Sequence, residues 1–462
     1  MPPNLLFVTS DHQRADSIGM LQAGLEVTPR ANAFAREAVR FERAYSTCPL
    51  CVPARTALAT GLYPTRNGMV TNDWSGASAG PHTPLHQVLA EAGYAVAHVG
   101  MQHIRVNPPL DARVRFEPYL DHKDYERHLK DRGLRAWPPD DLAGFSKELS
   151  ERQGEARVAA SYSHVRTAPS PNANEDFKDV WFAGRAREAL RRLAEGSRPF
   201  ALFVNFWAPH PPLWVPRDRF GLFPPERIDL PADVGLVPRG EPANRRRGVA
   251  AQLGAGVSMA QWRAVWSAHL ALTHLADEQF GRLLDTLNDS GRGGETAVVY
   301  QSDHGDHLGQ RAMYQKMECY DPSIRTPLLM RLPGVAACRI ADPVSHLHVV
   351  PTLLDVLGLE PPGALDAPSL LPDCRAGALR DPQPVFALYA GNSMRGDQRR
   401  MIVHGGWKYV YDPDAEPELF DLAADPLEQR NRASEPALTD RQGDLHARLA
   451  AWHSERGDTI NF

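Results

Sequence analysis

Two strand-like segments end in the same pair of chemically active side chains. The run NLLFVTS leads to Asp11-His12, and the run TAVVYQS leads to Asp303-His304. Ligands of open α/β sheets bind beyond the carboxyl ends of the strands, so both pairs lie where a site is expected. Carboxylates and imidazoles from two strands form a ligand set for Ca²⁺, Mg²⁺ or Mn²⁺. The alternative is that each aspartate only caps the helix after its strand.

A third candidate lies in the segment TCPLCVPARTALATG, which contains two cysteines in C-x-x-C spacing. A redox pair would follow the first strand of a thioredoxin-like unit, and a zinc site would need two more ligands nearby, so both alternatives are weakly supported. Pro53 suits the first position of a helix that Gly61 ends. Cys51 then lies near the helix start, above free backbone amides, with Arg55 one turn further on the same face. This pattern predicts an anion-binding site with a sulfur nucleophile.

The segment CVPAR, residues 51–55, resembles the C-x-P-x-R signature of the type I, formylglycine-dependent sulfatases of the alkaline phosphatase superfamily. The resemblance continues through WAPHPPLWVP, SDHGDHLGQRAMYQK and ELFDL, and it covers nearly the whole chain in family order. It implies that Cys51 is oxidised to formylglycine by a formylglycine-generating or equivalent maturation enzyme, and that the hydrated aldehyde is the nucleophile. The implied activity is hydrolysis of a small-molecule sulfate monoester. The alternative is a phosphonate monoester or phosphodiester hydrolase on the same machinery.

The resemblance also implies a role for each site residue. The ligands of one divalent metal ion, Ca²⁺ or Mn²⁺, would be Asp11, Cys51 as formylglycine, Asp303 and His304. The other implied residues, which act in catalysis or bind the substrate, are Arg55, Asn72, His103, His210 and Lys316. Arg55 would steady the aldehyde hydrate and the anion, and His103 would draw a proton from the hydrate. His210 and Lys316 would contact the substrate and assist the departing alcohol.

Three of these residues have a structural alternative. Without the motif, Lys316 would be a solvated lysine, His210 an exposed loop histidine and Asn72 a turn asparagine.

Three positions depart from the usual pattern of the family. His12 stands where many members have aspartate, and His304 stands where many have asparagine. Met101 replaces the lysine of the G-K-x-H motif. Because imidazole is a softer ligand than the carboxamide oxygen that it replaces, His304 moves the metal preference from Ca²⁺ towards Mn²⁺. The departures resemble the branch that contains phosphonate monoester hydrolases and choline-sulfatase-like enzymes.

The strands and helices that must position these residues alternate along the chain. Amphipathic helix patterns, one opening at Asn174 and the longest capped by Ser258, lie between short apolar runs. The runs that predict strands are 4–8, 94–100, 199–206, 296–302, 327–332 and, more weakly, 385–390. They are nearly continuous, as in strands covered on both faces of a mostly parallel sheet. We therefore expect an α/β fold, and the resemblance implies an alkaline-phosphatase-like sandwich.

The pattern changes near residue 372. A hairpin around Gly405-Gly406, a further strand and a C-terminal helix follow. We expect a catalytic domain over residues 1–372 and a small α+β subdomain over residues 373–462. The polar segments 105–172 and 229–257 predict loops that pass over the sheet edge and shape the substrate site.

The composition excludes several classes of function. The chain of 462 residues has 51 basic and 56 acidic residues, so no basic field favours a nucleic acid or an anionic membrane. No apolar run reaches membrane-spanning length, and the first residues lack the pattern of a secretion signal. Five scattered cysteines do not form a disulfide framework. We expect a cytoplasmic enzyme, and a homo-oligomer is left open.

Overall fold

The structure is a computed structural model that describes residues 2–134 and 144–460. Its strands are β1 (Asn4–Ser10), β2 (Leu21–Gln22), β3 (Leu25–Glu26), β4 (Val39–Tyr45), β5 (Ala95–Gly100), β6 (Tyr119–Leu120), β7 (Ser146–Gln153), β8 (Ala156–Ser163), β9 (Thr167–Pro169), β10 (Phe200–Asn205), β11 (Leu213–Val215), β12 (Thr296–Ser302), β13 (Arg325–Arg331), β14 (Cys338–Ser345), β15 (Val385–Tyr389), β16 (Arg399–His404), β17 (Trp407–Tyr411) and β18 (Glu418–Asp421). Its helices are α1 (Pro29–Phe34), α2 (Cys51–Thr60), α3 (Pro64–Asn67), α4 (Leu85–Glu91), α5 (Leu110–Arg113), α6 (His122–Asp131), α7 (Lys178–Glu195), α8 (Val249–Gly254), α9 (Met259–Asp289), α10 (Asp321–Ile324), α11 (Val349–Leu357), α12 (Leu371–Ala376) and α13 (Thr439–Glu455).

A central sheet of eight strands lies within the described residues, in the order β14-β4-β13-β12-β1-β10-β5-β6. Most neighbours run parallel, and β13 runs antiparallel to both β12 and β4. A smaller antiparallel sheet, β15-β16-β17-β18, lies near the C-terminus. The predicted α/β class, with its mostly parallel sheet and small C-terminal α+β part, is confirmed. The domain boundary at residue 372 stays a prediction.

Alternate residues of β1 enter two different hydrophobic cores. Leu6 and Val8 pack with side chains of α7 and α9 on one face of the sheet. Leu5 and Phe7 pack with side chains of α4 and α11 on the other face. Because helices cover both faces, the strands are apolar throughout rather than alternating.

The longest helix, α9, begins as predicted. The hydroxyl of Ser258 accepts the backbone N–H of Gln261, whose side chain accepts the backbone N–H of Ser258. This reciprocal pair satisfies two amides that a helix start leaves free. Among the helices of the described residues, α9 included, none has the combination of length and apolar character that crossing a bilayer requires.

The start of α7 differs from the prediction. Residues 174–176 form a separate turn of 3₁₀ helix, and α7 begins at Lys178. Asp179 accepts the backbone N–H groups of Trp207 and Ala208, which are not part of α7. The carboxylate of Asp179, in the first turn of α7, therefore binds the backbone of the loop that contains Trp207 and Ala208.

Three strands of the central sheet, β4, β6 and β14, were not predicted. In β4 apolar and charged residues mix, because its Glu42 pairs with Arg339 of β14 near the sheet edge. In β14, Pro343 lies at a shift in register, a position where a sheet tolerates proline. Apolar residues of the two strands, among them Phe41 and Ile340, are also buried in a hydrophobic core, so burial and cross-strand pairing both contribute to this pair.

The segment 105–172, predicted to be irregular, contains regular elements. Helix α6 and the hairpin of β7 and β8 lie in it. Residues 135–143 of this segment lie outside the described part of the chain.

Gly100, at the end of β5, is expected to tolerate no side chain. Its φ is 117°, and an added Cβ would lie 2.0 Å from the carbonyl oxygen of Asn205 in β10. Gly93 also has a positive φ, 87°, but an added Cβ there meets no atom within 4 Å. Gly93→Ala should therefore cost only backbone strain, about 1 kcal/mol. Gly100→Ala must also separate two strands, and it should lower the free energy of unfolding by about 3 kcal/mol or more. Urea unfolding followed by circular dichroism measures both losses, and equal losses would contradict the expected clash.

Candidate active site

The parallel pairing of β1 and β12 brings two carboxylates together. Ser10 at the end of β1 lies opposite Ser302 at the end of β12. Asp11 and Asp303 therefore leave the sheet side by side, and both are fully buried. Two buried carboxylates at this spacing repel each other, so the fold must supply a positive charge.

Arg55 supplies that charge. Its Nε donates to Oδ2 of Asp303 at 2.7 Å, and its Nη2 donates to Oδ2 of Asp11 at 3.0 Å. A third donor, Nη1, lies 3.3 Å from Oδ1 of Asn205. Burial opposes the charge of Arg55, but the two carboxylates outweigh it and raise the pKa of the guanidinium. Arg55 is therefore a charged bridge between the ends of the two strands.

The two carboxyl groups respond differently to this environment. Burial first, and then the charge of Asp303, raise the pKa of Asp11 to about 7. Burial acts in the same direction on Asp303, but Arg55 outweighs it and holds the pKa of Asp303 at about 2. The environment therefore favours the ionised form of Asp303 more strongly than that of Asp11.

Cys51 is the first residue of α2, which ends at Gly61 with a φ of 68°. Pro53 is thus the third residue of the helix, and its predicted place at the first position was wrong. The sulfur of Cys51 lies 2.9 Å from Nζ of Lys316 and 3.2 Å from Nε2 of His304. Oδ1 of Asp11 is 3.7 Å away. The helix start therefore places position 51 among an ammonium, an imidazole and a carboxylate.

The thiol of Cys51 is a poor nucleophile as it stands. Burial first, and then the charge of Asp11, raise its pKa to about 12. Thiolate is the reactive form of cysteine, and little of it forms at neutral pH when the pKa is this high. Cys48 is also a buried free thiol whose pKa is raised by burial. Neither residue has the lowered pKa of a redox C-x-x-C motif.

Four buried side chains offer donor atoms that all lie within 4.8 Å of one another: Asp11, His12, Cys51 and His304. A carboxylate, two imidazoles and a sulfur form a donor set that suits a divalent transition ion. The residues present therefore fit a metal. Asp303, predicted as a ligand, lies beside this set, with its Oδ2 3.8 Å from Nε2 of His304.

His12 belongs to one of the two dipeptides that predicted the site, but the family resemblance assigned it no role of its own. Its backbone has a φ of 67°, in the left-handed region. Nδ1 of the ring lies 2.8 Å from Oδ2 of Asp306, and Nζ of Lys316 donates to Nε2 at 2.7 Å. His12 therefore links the buried carboxylate of Asp306 to the ammonium that faces Cys51.

The remaining predicted residues surround this cluster. The ring of His210 lies 4.3 Å from that of His12, measured between centroids. His103 is buried against Trp74, and among the described residues its Nδ1 has no hydrogen-bond partner.

Asn72 lies on the other side of the helix start. Its Oδ1 accepts the backbone N–H of Val52 at 3.1 Å, and its Nδ2 donates to Asn392 at 2.9 Å. The side chain of Asn72 thus links the first turn of α2 to Asn392 in the C-terminal part of the chain. Its role toward the substrate, like the roles of the other site residues, stays a prediction.

Comparison with known proteins identifies the family. The sequence model of the sulfatase family matches residues 3–359, and that of the N-sulphoglucosamine sulphohydrolase C-terminal region matches residues 309–455. Choline-sulfatase of Rhizobium meliloti (strain 1021) is 31% identical over 99% of this chain and 88% of its own length. Arylsulfatase of Clostridium perfringens (strain 13 / Type A) is 25% identical, over 93% of this chain and 90% of its own.

A solved structure shares the fold. The phosphonate monoester hydrolase of Silicibacter pomeroyi superimposes with a TM-score of 0.78 and 22% identity, over 98% of this chain and 96% of that one. The buried donor cluster thus lies in a fold and a sequence that both agree with the resemblance carried by CVPAR. The chain belongs to the sulfatase family and is a hydrolase that acts on sulfate esters.

Proposed function

We propose that this protein hydrolyses small-molecule sulfate monoesters with a divalent metal ion and with formylglycine made from Cys51. The position of Cys51 carries the proposal. Its sulfur lies within 3.7 Å of atoms of Asp11, His304 and Lys316. A nucleophile at position 51 would thus lie beside metal donors and beside an ammonium that can hold an anion.

The chemistry of residue 51 supports its conversion. The thiol, with a pKa of about 12, has little thiolate with which to attack. A hydrated aldehyde at this position supplies one hydroxyl as the nucleophile and a second through which the product is released.

The metal would be held by Asp11, Asp303, His304 and residue 51. When bound, the ion supplies positive charge that polarises the sulfate group and favours ionisation of the nucleophile. The imidazole of His304 favours Mn²⁺ over Ca²⁺, the two ions that the family resemblance implies. Arg55 would hold Asp11 and Asp303 together and favour their ionised forms, as its hydrogen bonds to both carboxylates indicate.

Proton transfer would fall to side chains around the cluster. Lys316, with Nζ 2.9 Å from the sulfur of Cys51, would bind a sulfate oxygen and stabilise the departing alkoxide. His210 would protonate the oxygen of the departing alcohol. His103 would accept the proton released at residue 51 when sulfate leaves. Asn72 would hold the first turn of α2 and contact the substrate.

A second candidate function is hydrolysis of phosphonate monoesters or phosphodiesters. The small number of cations in the site supports this alternative. Met101 is apolar and buried, and the charge of Arg55 is paired with two carboxylates. Lys316 is then the cation that faces Cys51. Such a site suits a transferring group with one negative charge, which sulfate monoesters, phosphonate monoesters and phosphodiesters share.

Three features of the proposal concern the cell rather than the site. They are a maturation enzyme that oxidises Cys51, a cytoplasmic location, and a homo-oligomer as one of the open quaternary states. Each remains a prediction from the sequence.

Asp11→Asn should release the metal. The change removes one buried negative charge and keeps the side-chain shape, so the site attracts a divalent cation less strongly. After dialysis against Mn²⁺, we expect metal content to fall about tenfold or more relative to the unchanged protein. Plasma mass spectrometry measures the metal, and circular dichroism confirms the fold. Asp111→Asn, at an exposed carboxylate, is the control. A folded Asp11→Asn protein with full metal content would refute the ligand assignment.

Cys51, and not Cys48, should carry the aldehyde when the chain is produced with a maturation enzyme. Only Cys51 is followed by proline and arginine at the spacing of C-x-P-x-R. Peptide mass spectrometry of residues 47–55 locates the modification. Cys48→Ala should retain the aldehyde and activity, whereas Cys51→Ala should lose turnover by about a thousandfold or more. Full activity with an unmodified thiol at position 51 would end the proposal.

The charge of the transferring group should set the order of substrates. Aryl sulfate and aryl phosphonate monoester should both be hydrolysed, and aryl phosphate should be slowest, because it carries nearly two charges at neutral pH. We expect its kcat/KM to be lower than that for aryl sulfate by about tenfold or more, since the second charge lacks a buried partner. Parallel assays with one leaving group decide this. If aryl phosphate is fastest, the reasoning from charge is wrong.

A further inference from the structure

A cavity of about 190 Å³ opens beside the site, between α6, the start of α7 and the loop that carries His210. Its walls include the aromatic rings of Tyr125, Phe177, Trp207 and Trp214. Apolar cavities of about 150 Å³ bind a molecule as large as benzene, so this one has room for a small organic group.

His210 joins this cavity to the proposed catalytic centre. Its ring lies 4.2 Å from that of Trp207 on one side and 4.3 Å from that of His12 on the other, measured between centroids. The backbone N–H of His210 donates to the carbonyl of Trp207 at 2.9 Å. In a sulfate ester held at Cys51, the bridging oxygen would therefore lie near His210. The alcohol part of the ester would extend toward Trp207.

An ammonium of the chain itself stands in this cavity. Nζ of Lys178, the first residue of α7, lies 4.4 Å from the ring centroid of Trp207 and 5.7 Å from that of Tyr125. Within residues 2–134 and 144–460, Lys178 forms no ion pair and no side-chain hydrogen bond. Its ammonium therefore faces aromatic rings, which is the arrangement that proteins use to recognise organic cations.

Two carboxylates complete that arrangement. Asp179 is fully buried and lines the cavity; its Oδ1 holds two backbone amides, and its Oδ2 has no partner among the described residues. Glu126 stands at the exposed rim. Aromatic rings and carboxylates together would suit an alcohol that carries a quaternary ammonium group. In this chain, however, the ammonium of Lys178 already occupies the position that the charge of such an alcohol would take.

We propose that this cavity receives the alcohol part of the sulfate ester, and that Lys178 makes it select uncharged alcohols over alcohols that carry a quaternary ammonium. The inference rests on the proposed function, because it needs a sulfate ester held at position 51. A cationic alcohol would meet the like charge of Lys178, whereas an uncharged apolar group can pack on the same rings. The relative named for choline sulfate, at 31% identity, would then differ from this chain in the alcohol it accepts.

The test compares two esters that differ only in charge. One is choline sulfate, and the other is its carbon isostere, in which a tert-butyl group replaces the trimethylammonium group. With the matured, metal-loaded enzyme, we expect kcat/KM for the uncharged ester to exceed that for choline sulfate by about tenfold or more. Lys178→Met removes the ammonium and keeps an apolar side chain, and it should shift this ratio toward choline sulfate by about tenfold or more.

Two further variants make the result specific. Lys178→Gln, which retains a polar group without the charge, should shift the ratio in the same direction. Lys130→Met, at an exposed lysine of α6, should leave the ratio unchanged. A wild-type enzyme that prefers choline sulfate, or a ratio that neither Lys178 variant moves, would overturn the proposal.

A binding measurement separates this inference from the proposed function. Aryl sulfate turnover tests the function, and its complete absence would count against that proposal alone. Calorimetric titration with choline and with its carbon isostere tests the cavity without turnover. Choline should bind the Lys178→Met protein about tenfold or more tighter than the unchanged protein, because the competing ammonium is gone. Equal choline affinity in both proteins would refute the role of Lys178.

Discussion

The repulsion between two buried carboxylates is the constraint on which the site depends. Asp11 and Asp303 follow neighbouring parallel strands, so the sheet itself forces them together. In a site that excludes water, this repulsion is strong unless a cation lies between the groups. Arg55, the fifth residue of α2, forms ion pairs with both. Because Cys51 is one helical turn earlier, the same contact that neutralises the carboxylates also positions the nucleophile.

The C-terminal part of the chain holds the loop around this helix start. The backbone N–H of Leu388 in β15 donates to the carbonyl of Thr47 at 2.9 Å, just before Cys51. Past the helix, the N–H of Asn72 donates to the carbonyl of Asn392 at 2.6 Å. Side chains of this part also share a hydrophobic core with the larger sheet. Strand β15 and the loop that follows it therefore hold both segments that flank the nucleophile.

Features that depend on local pattern could be predicted from the sequence. The strands β1 and β12 are continuous apolar runs, and each is followed by the dipeptide that indicated the site. The cap of α9 was predicted because both of its partners lie within one turn. The aromatic cavity could not be predicted, because α6, α7 and the loop before His210 are separated in sequence and meet only after folding.

His12 shows the same limit inside the site. Its dipeptide indicated a metal centre, but its partners, Asp306 and Lys316, lie about 300 residues away in sequence. Its left-handed backbone conformation is favoured by glycine and only rarely adopted by other residues. Tertiary contacts on both ring nitrogens hold the residue there, and no local pattern encodes them.

In the proposed arrangement, the charges of the protein select both the sulfate group and the alcohol part of the substrate. On the sulfate side, Met101 is buried and lines a cavity together with Leu58 and Phe203, and it adds no cation to the one that Lys316 presents. On the alcohol side, Lys178 presents an ammonium to the aromatic walls. The next residue, Asp179, holds the backbone of the loop that carries His210. The first turn of α7 therefore couples the choice of alcohol to the position of its proposed proton donor. A substitution there can change the accepted alcohol while the metal donors at the strand ends stay in place.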